Sequence, residues 1–283
     1  MQSPLLWVLE VAGASFAGGI VGAISGLGGG IVIVPVLTVF LGIPIQKAIG
    51  ASIISVIAVS SGAGSVYVKD RITNIRIAMF LEMSTALGAI LGAAVLSRYL
   101  GGPSLSVLFG VTLLLSLIPI MGNIHEELPK GVHNDRLASL LRLNSSYFDH
   151  NLGREVEYQV AAIPQAMGIM GIAGIISGLL GIGAGVVKVL AHEIYMKVPT
   201  KVSTATSNFM IGVTAASAAG VYLRRGEVLP YLVVPVATSV LVGAFLGTKL
   251  MERMSNARVR QVFAVALGVI GVEMLLRGLG IRG

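Results

Sequence analysis

The chain contains no cysteine. Disulfides, thiolate metal sites and thiol-relay chemistry are therefore excluded, while the compartment stays open. Charge is nearly as scarce: charged residues make up 12% of the 283 positions, against about 25% in soluble proteins. No nucleophile–base set and no metal-ligand spacing stands out, which argues against an enzyme. Neither a cofactor nor a metal is expected. The net charge of +7 reads as basic loops on the cytoplasmic face of a membrane rather than as a nucleic-acid surface.

Hydrophobic residues fill 55% of the chain, and the mean hydropathy is +0.89. Apolar runs recur at 4–24, 75–96, 105–121 and 229–250. Each approaches the roughly 20 residues that a helix needs to cross about 30 Å of hydrocarbon. The pattern is that of an all-α polytopic membrane protein seated in a lipid bilayer. The first run lacks a basic leader and a small-residue cleavage site, so it is expected to be a retained span and not a signal peptide.

Sliding the chain against itself by 155 residues exposes a repeat. Gly26, Gly28 and Gly30 fall on Gly181, Gly183 and Gly185, Pro44 on Pro199 and Ser52 on Ser207. Tyr67 falls on Tyr222, Gly88 and Gly92 on Gly243 and Gly247, and Arg98 on Arg253. The expected organisation is a transmembrane repeat at 1–122, a linker at 123–159 and a second repeat at 160–283. Each repeat holds about five hydrophobic segments, and the second one (31–43 and 186–198) is short and broken in both. Thirteen residues of helix reach only about 20 Å, so these segments either dip in partway or complete a crossing begun elsewhere.

Lysine and arginine positions set the orientation. With an odd number of net crossings per half, 13 basic residues, Lys69, Arg142, Lys201 and Arg258 among them, share one side. Six lie on the other: Lys47, Arg98, Arg224, Arg225, Arg277 and Arg282. Merging the first two segments into one crossing evens the split to 11 against 8. The positive-inside rule favours the odd count. The halves are then inverted, both termini are extracytoplasmic, the linker is cytoplasmic, and the membrane is the cell membrane. Inverted repeats are the architecture of secondary transporters. In the linker, His125, His133 and His150 match no ligand motif, and 147–160 has hairpin character. A solvated tether is the expectation there.

The glycine runs interrupt a helix where an unpaired amide is most costly. Non-helical backbone at membrane depth survives only inside protein or beside a water-filled cavity. Gly28, Gly29 and Gly30 precede one short segment, and Gly183, Ala184 and Gly185 precede the other. Each short segment starts a new helix, and two such N-termini facing each other make an anion site without a charged side chain. The spaced glycines at Gly88 and Gly92, and at Gly243 and Gly247, read as helix-packing faces.

Ionisable groups inside spans default to functional candidates. Lys188 is either a substrate cation or the partner of Glu193 or Glu82. Glu82, and secondarily Glu193, is a candidate for proton coupling, while Glu10 and Glu273 lie near segment ends and reach water. Ser52 in the first half, and Thr206, Ser207 and Asn208 in the second, either donate to substrate or bond their own helix.

These residues carry a family resemblance. "SGLGGGIVIVPVL" followed by "GIPIQKAIGASI", and "SGLLGIGAGVVKVL" followed by "KVPTKVSTATSNF", resemble the paired glycine-rich repeats of the TauE/SafE family of sulfite and organosulfonate exporters. The resemblance implies a membrane carrier that moves small sulfur-containing anions, mostly outward. The second copy departs from the pattern: Ala184 replaces a usual glycine, and Leu190 stands where the first copy has Pro35. The two half-sites are thus expected to differ. A negative cell interior would favour anion exit. A passive anion channel and a membrane enzyme are the rival readings, and the oligomeric state, homo-oligomer included, is left open.

The orientation is testable on this cysteine-free background. Asp135→Cys is expected to resist an impermeant thiol reagent applied to intact cells; labelling from outside would contradict a cytoplasmic linker.

Overall fold

A computed structural model describes residues 4–25, 29–121, 132, 135–149, 153–251 and 256–281. Helix α1 (Pro4–Ser25) leads to the first break. A short helix α2 (Gly30–Pro35) then runs into a π-helical turn, Val36–Phe40. Three long helices follow: α3 (Ile45–Lys69), α4 (Ile75–Ala94) and α5 (Gly102–Met121). The linker contributes α6 (Arg136–Leu140) and a hairpin of β1 (Ser145–Asp149) and β2 (Arg154–Tyr158). The second half repeats the plan with α7 (Ile163–Leu180), α8 (Gly185–Leu190) and its π turn Ala191–Tyr195. It ends with α9 (Thr200–Arg224), α10 (Pro230–Met251) and α11 (Asn256–Gly278). The chain is an all-α membrane protein, and among the described residues α3, α4, α7 and α10 contain stretches long and apolar enough to span a bilayer.

The helices turn apolar side chains outward. On α4, Met79, Met83, Leu87 and Ile90 are exposed while Leu81, Thr85 and Ala89 are buried. On α10, Val234, Val242 and Phe245 are exposed. Water would disfavour such faces; lipid tails match them. With no hydrophobic drive between helices in lipid, close backbone contact must hold them together. Glycine permits it. Gly88, Gly174 and Gly178 let α4 and α7 touch backbone to backbone, and Gly19 and Gly243 do the same for α1 and α10. The 155-residue shift carries one of these pairs onto the other. It carries α3 onto α9 and α5 onto α11, and each of these packs against its own counterpart. The α3–α9 pair is antiparallel. Gly50, near the start of α3, abuts Glu227 just past α9, while Asn74, just past α3, receives a contact from the start of α9.

The linker is packed, contrary to the expectation of a solvated tether. Its hairpin forms, with Tyr147 opposite Val156. Ala138, Leu143, Tyr147 and Tyr158 are buried with Ile77, Ala78 and Leu81 of α4 in one apolar cluster. The polar ties are specific as well. Asp135 Oδ1 accepts from the Ala138 amide at 2.6 Å and Oδ2 from the Ile163 amide at 2.9 Å, joining α6 to the start of α7. Lys201 of α9 grips Asp149 at 2.7 and 2.8 Å. Asp135 is therefore a structural cap, and the exposed Glu157 is the gentler cysteine position for the labelling test. His125, His133 and His150 lie outside the described residues.

Asn74 ties this cap to the bundle. Its Oδ1 accepts from the Ile77 amide at 3.1 Å and caps α4. Its Nδ2 donates to Leu143 O at 2.9 Å and to the Tyr158 hydroxyl at 2.8 Å. Its backbone N–H donates to Thr206 Oγ1 at 3.0 Å. Burial pushes the Tyr158 hydroxyl up to about 12, so it stays protonated across the physiological range.

Asn74→Ala is expected to cost about 2 kcal/mol, a lost helix cap plus acceptors left unsatisfied. Asn74→Asp, which keeps the capping oxygen, should recover part of that loss. Thermal unfolding in detergent reads both, and an unchanged midpoint for Asn74→Ala would show that the cap is not coupled to the bundle.

Candidate functional site

The two breaks meet inside the protein. Gly30, at the first turn of α2, sits so near Gly181 that a Cβ there would lie 2.8 Å from the Gly181 carbonyl oxygen and 2.9 Å from Ser52 Oγ. Ser52, fully buried on α3, donates to that same carbonyl at 2.9 Å. A residue of the first half thus satisfies the backbone freed by the break in the second. The Tyr222 hydroxyl of α9 donates to Gly178 O at 2.7 Å, with Leu179 O 3.3 Å away, close to the end of α7.

The backbone differs between the breaks. Gly181 and Gly183 take left-handed φ values of +66° and +72°, and Ala184 follows at +49°. Glycine adopts this region freely; alanine pays about 1–2 kcal/mol for it. Gly29, ahead of α2, is right-handed at φ −57°. The substitution at Ala184 therefore coincides with a strained residue, and the halves are not equivalent. Beyond the break they converge again: π turns fall at 36–40 and 191–195, 155 residues apart. Pro35 is not their cause, because Leu190 occupies its place in the second copy. An arginine of α11 serves the first one, Arg277 donating to Thr38 O near its end, where a cation suits the negative end of the helix dipole.

Lys188 is completely buried in α8. Its ammonium donates to Thr214 Oγ1 of α9 and lies 3.8 Å from Glu82 Oε2 of α4. The Thr214 hydroxyl lies 2.6 Å from Glu82 Oε1 and 2.8 Å from Met210 O. Of the two carboxylates considered for Lys188, Glu82 is the one at ion-pair distance. Glu193 is buried on the π turn.

The remaining candidates separate. Ser207 donates to Gly185 O at 3.2 Å and so belongs to the second break. Thr206 accepts from Asn74 and belongs to the linker contact. Asn208 bonds its own helix through Thr204 O at 3.1 Å, and its carbonyl receives the Ser60 hydroxyl of α3. Gly28 lies outside the described residues. Thr214, Tyr222 and Ser60 were not singled out as site residues; the aligned Tyr67–Tyr222 pair was the one available signal. No group of three metal-ligating side chains occurs among the described residues.

Gly29, Gly30, Gly183, Ala184 and Gly185 are all buried, so solvent does not reach these residues. A crevice of about 700 Å³ opens elsewhere, between α3 and α9. Ser60, Ser61, Ser65, Lys69, Phe209 and Gly212 line it, and it reaches toward the basic end of α3.

Comparison with known proteins supplies what geometry alone does not. A family model described as "Sulfite exporter TauE/SafE" matches residues 11–274. The chain belongs to the TauE/SafE family. "Probable membrane transporter protein YunE" of Bacillus subtilis is 25% identical over 268 residues, covering 92% of this chain and 94% of that protein. "Probable membrane transporter protein MJ0441" of Methanocaldococcus jannaschii is 25% identical over 286 residues, covering 96% of each. No solved structure matches significantly. This TauE/SafE protein is a membrane transporter and not an enzyme.

Gly30→Ala forces a methyl group between two fixed partners, a carbonyl and a helix-borne hydroxyl. It is expected to lower the melting temperature by several degrees. Gly29→Ala should do less, because the nearest atoms its Cβ would meet are side-chain methyls of Ile33 and Val240, at 3.2 Å each, and not backbone. Ser52→Ala, which leaves Gly181 O unsatisfied, should cost about 1–3 kcal/mol. Equal melting temperatures for Gly29→Ala and Gly30→Ala would contradict this account of the junction.

Proposed function

We propose that this TauE/SafE protein is a secondary carrier of a small sulfur-containing anion, sulfite or an organosulfonate, working by alternating access around the junction of its two broken helices. The observation that carries the reading is the meeting of Gly30 with Gly181, bridged by Ser52. Two short helices begin beside it, one from each half. Each runs on through its π turn for 11 residues, about 16 Å. Their first turns offer backbone N–H groups and the positive dipole ends, the chemistry that holds oxyanions. Ser207 and Lys188 lie within or against the second of them.

The halves are proposed as inverted repeats at 1–122 and 160–283, joined by the cytoplasmic linker 123–159, with both termini outside the cell membrane. The antiparallel α3–α9 pair and the exchange of α1–α10 with α4–α7 under the repeat shift support this. In that orientation the crevice beside Lys69 faces the cytoplasm and is the route by which an anion approaches the closed junction. Opening it requires α3 and α9 to part, the kind of rocking between repeats that alternating access uses. The name of the family model favours outward transport of sulfite.

Purified protein would be screened by thermal shift against sulfite, sulfate, methanesulfonate, sulfoacetate, taurine and short carboxylates. Flux of the best binder would then be followed in proteoliposomes. A carrier gives saturable uptake that is accelerated by the same anion loaded on the far side. Flux that rises linearly with concentration and shows no such counterflow would replace the carrier with a channel.

A further inference from the structure

We propose that Glu82 binds a coupling proton, so that the protein moves its anion together with H⁺; this rests on the anion-carrier reading above. Lys188 is the sole lysine or arginine that is fully buried among the described residues. It is the cation in best position to meet an anion at the junction, since it follows Gly185 by three residues on α8. As it stands, that charge is already committed. Glu82 faces it from α4 at 3.8 Å, and Thr214 of α9 touches both. Three different helices therefore converge on one closed chain of carboxylate, hydroxyl and ammonium.

The geometry leaves the pair loose on one side. Glu82 Oε2 is buried and has no hydrogen-bond partner among the described residues, and 3.8 Å is too long for a direct hydrogen bond to Lys188. That oxygen is free to take up a proton. The proton converts the carboxylate to a neutral acid and leaves the Lys188 charge unopposed. An incoming anion can then take the place of the carboxylate as the partner of Lys188. An anion arriving without the proton would meet a buried negative charge on Glu82, which the low-dielectric interior penalises. Proton and anion thus favour each other's binding, and linkage makes the effect reciprocal. No bond other than the O–H of Glu82 forms or breaks.

The neighbouring ionisable groups are few. His192 and Glu193 lie on the π turn after α8. Arg76 lies at the far end of α4, and Lys201, Tyr222 and Arg224 lie toward the ends of α9. The segments of α5 and α7 that pack nearby carry none. For a monovalent anion the coupled movement carries no net charge, so export runs on the anion and pH gradients and not on the membrane potential.

The test uses purified protein with methanesulfonate, sulfoacetate and sulfate, whose charges are constant between about pH 6 and about pH 9. In weakly buffered solution, binding to the wild type should take up about one proton per anion. Affinity should fall up to about tenfold per pH unit once Glu82 is ionised. Glu82→Gln, a mimic of the protonated acid, should bind tightly with a flat pH profile and no proton uptake. In proteoliposomes it should lose the response of flux to an imposed pH gradient. The proton measurement on the wild type stands even where the variant does not fold. Binding without proton uptake, with one pH profile for wild type and variant, would overturn the coupling and leave the anion carrier intact. Failure of every anion to bind at any pH would overturn the carrier reading itself.

Discussion

An interrupted helix inside hydrocarbon survives only if protein supplies every hydrogen bond that the interruption removes. In this molecule other helices supply them, and two of the bonds, from Ser52 and from Arg277, cross between the halves. Ser52 of α3 serves the carbonyl of Gly181, Ser207 of α9 that of Gly185, and Tyr222 the carbonyls of Gly178 and Leu179. Arg277 of the last helix serves Thr38 in the first broken segment. Neither break is complete on its own. The crossing of α3 and α9, with small and hydroxyl-bearing residues where they meet, follows from that requirement, and so do the glycines that let the flanking helices close around it.

Much of this was legible in the residues. The 155-residue shift found the pairs Gly30–Gly185 and Ser52–Ser207, and the helices fall close to the hydrophobic segments it defined. The spaced glycines Gly88 and Gly92 do mark a helix contact. Other features were not legible. Periodicity cannot say which carboxylate a buried lysine will face, because Glu193 is near in sequence, Glu82 is distant, and only the fold decides which of them meets the ammonium. Thr214 lies in a run of small residues that carries no motif. The linker misled because its polar composition resembles a tether, while four buried side chains and a few exact contacts suffice to dock it. Ala184 was visible as a departure, but its left-handed backbone could be seen only in three dimensions.

The closed state has a mechanical consequence. The junction glycines, Lys188 and Glu82 are each buried, so a solute would reach any of them only if packed helices moved. The contacts that would have to give are those between α3 and α9, where Ser60 binds the Asn208 carbonyl and also accepts from the Gly212 amide at 2.9 Å. A hydroxyl placed between a helical carbonyl and the amide four residues on loosens that turn. The glycine-tight α4–α7 and α1–α10 pairs, held by backbone contact, are suited to move as rigid units on either side.

The central claim is that the anion rests between the two broken helices. An electron cryomicroscopy map of the protein saturated with its best-binding anion tests it most directly. The account predicts anion density at the first turns of α2 and α8, within hydrogen-bond reach of the backbone around Gly30 and Gly185. Density confined to the α3–α9 crevice beside Ser61 and Ser65, with the junction closed and unchanged, would contradict it.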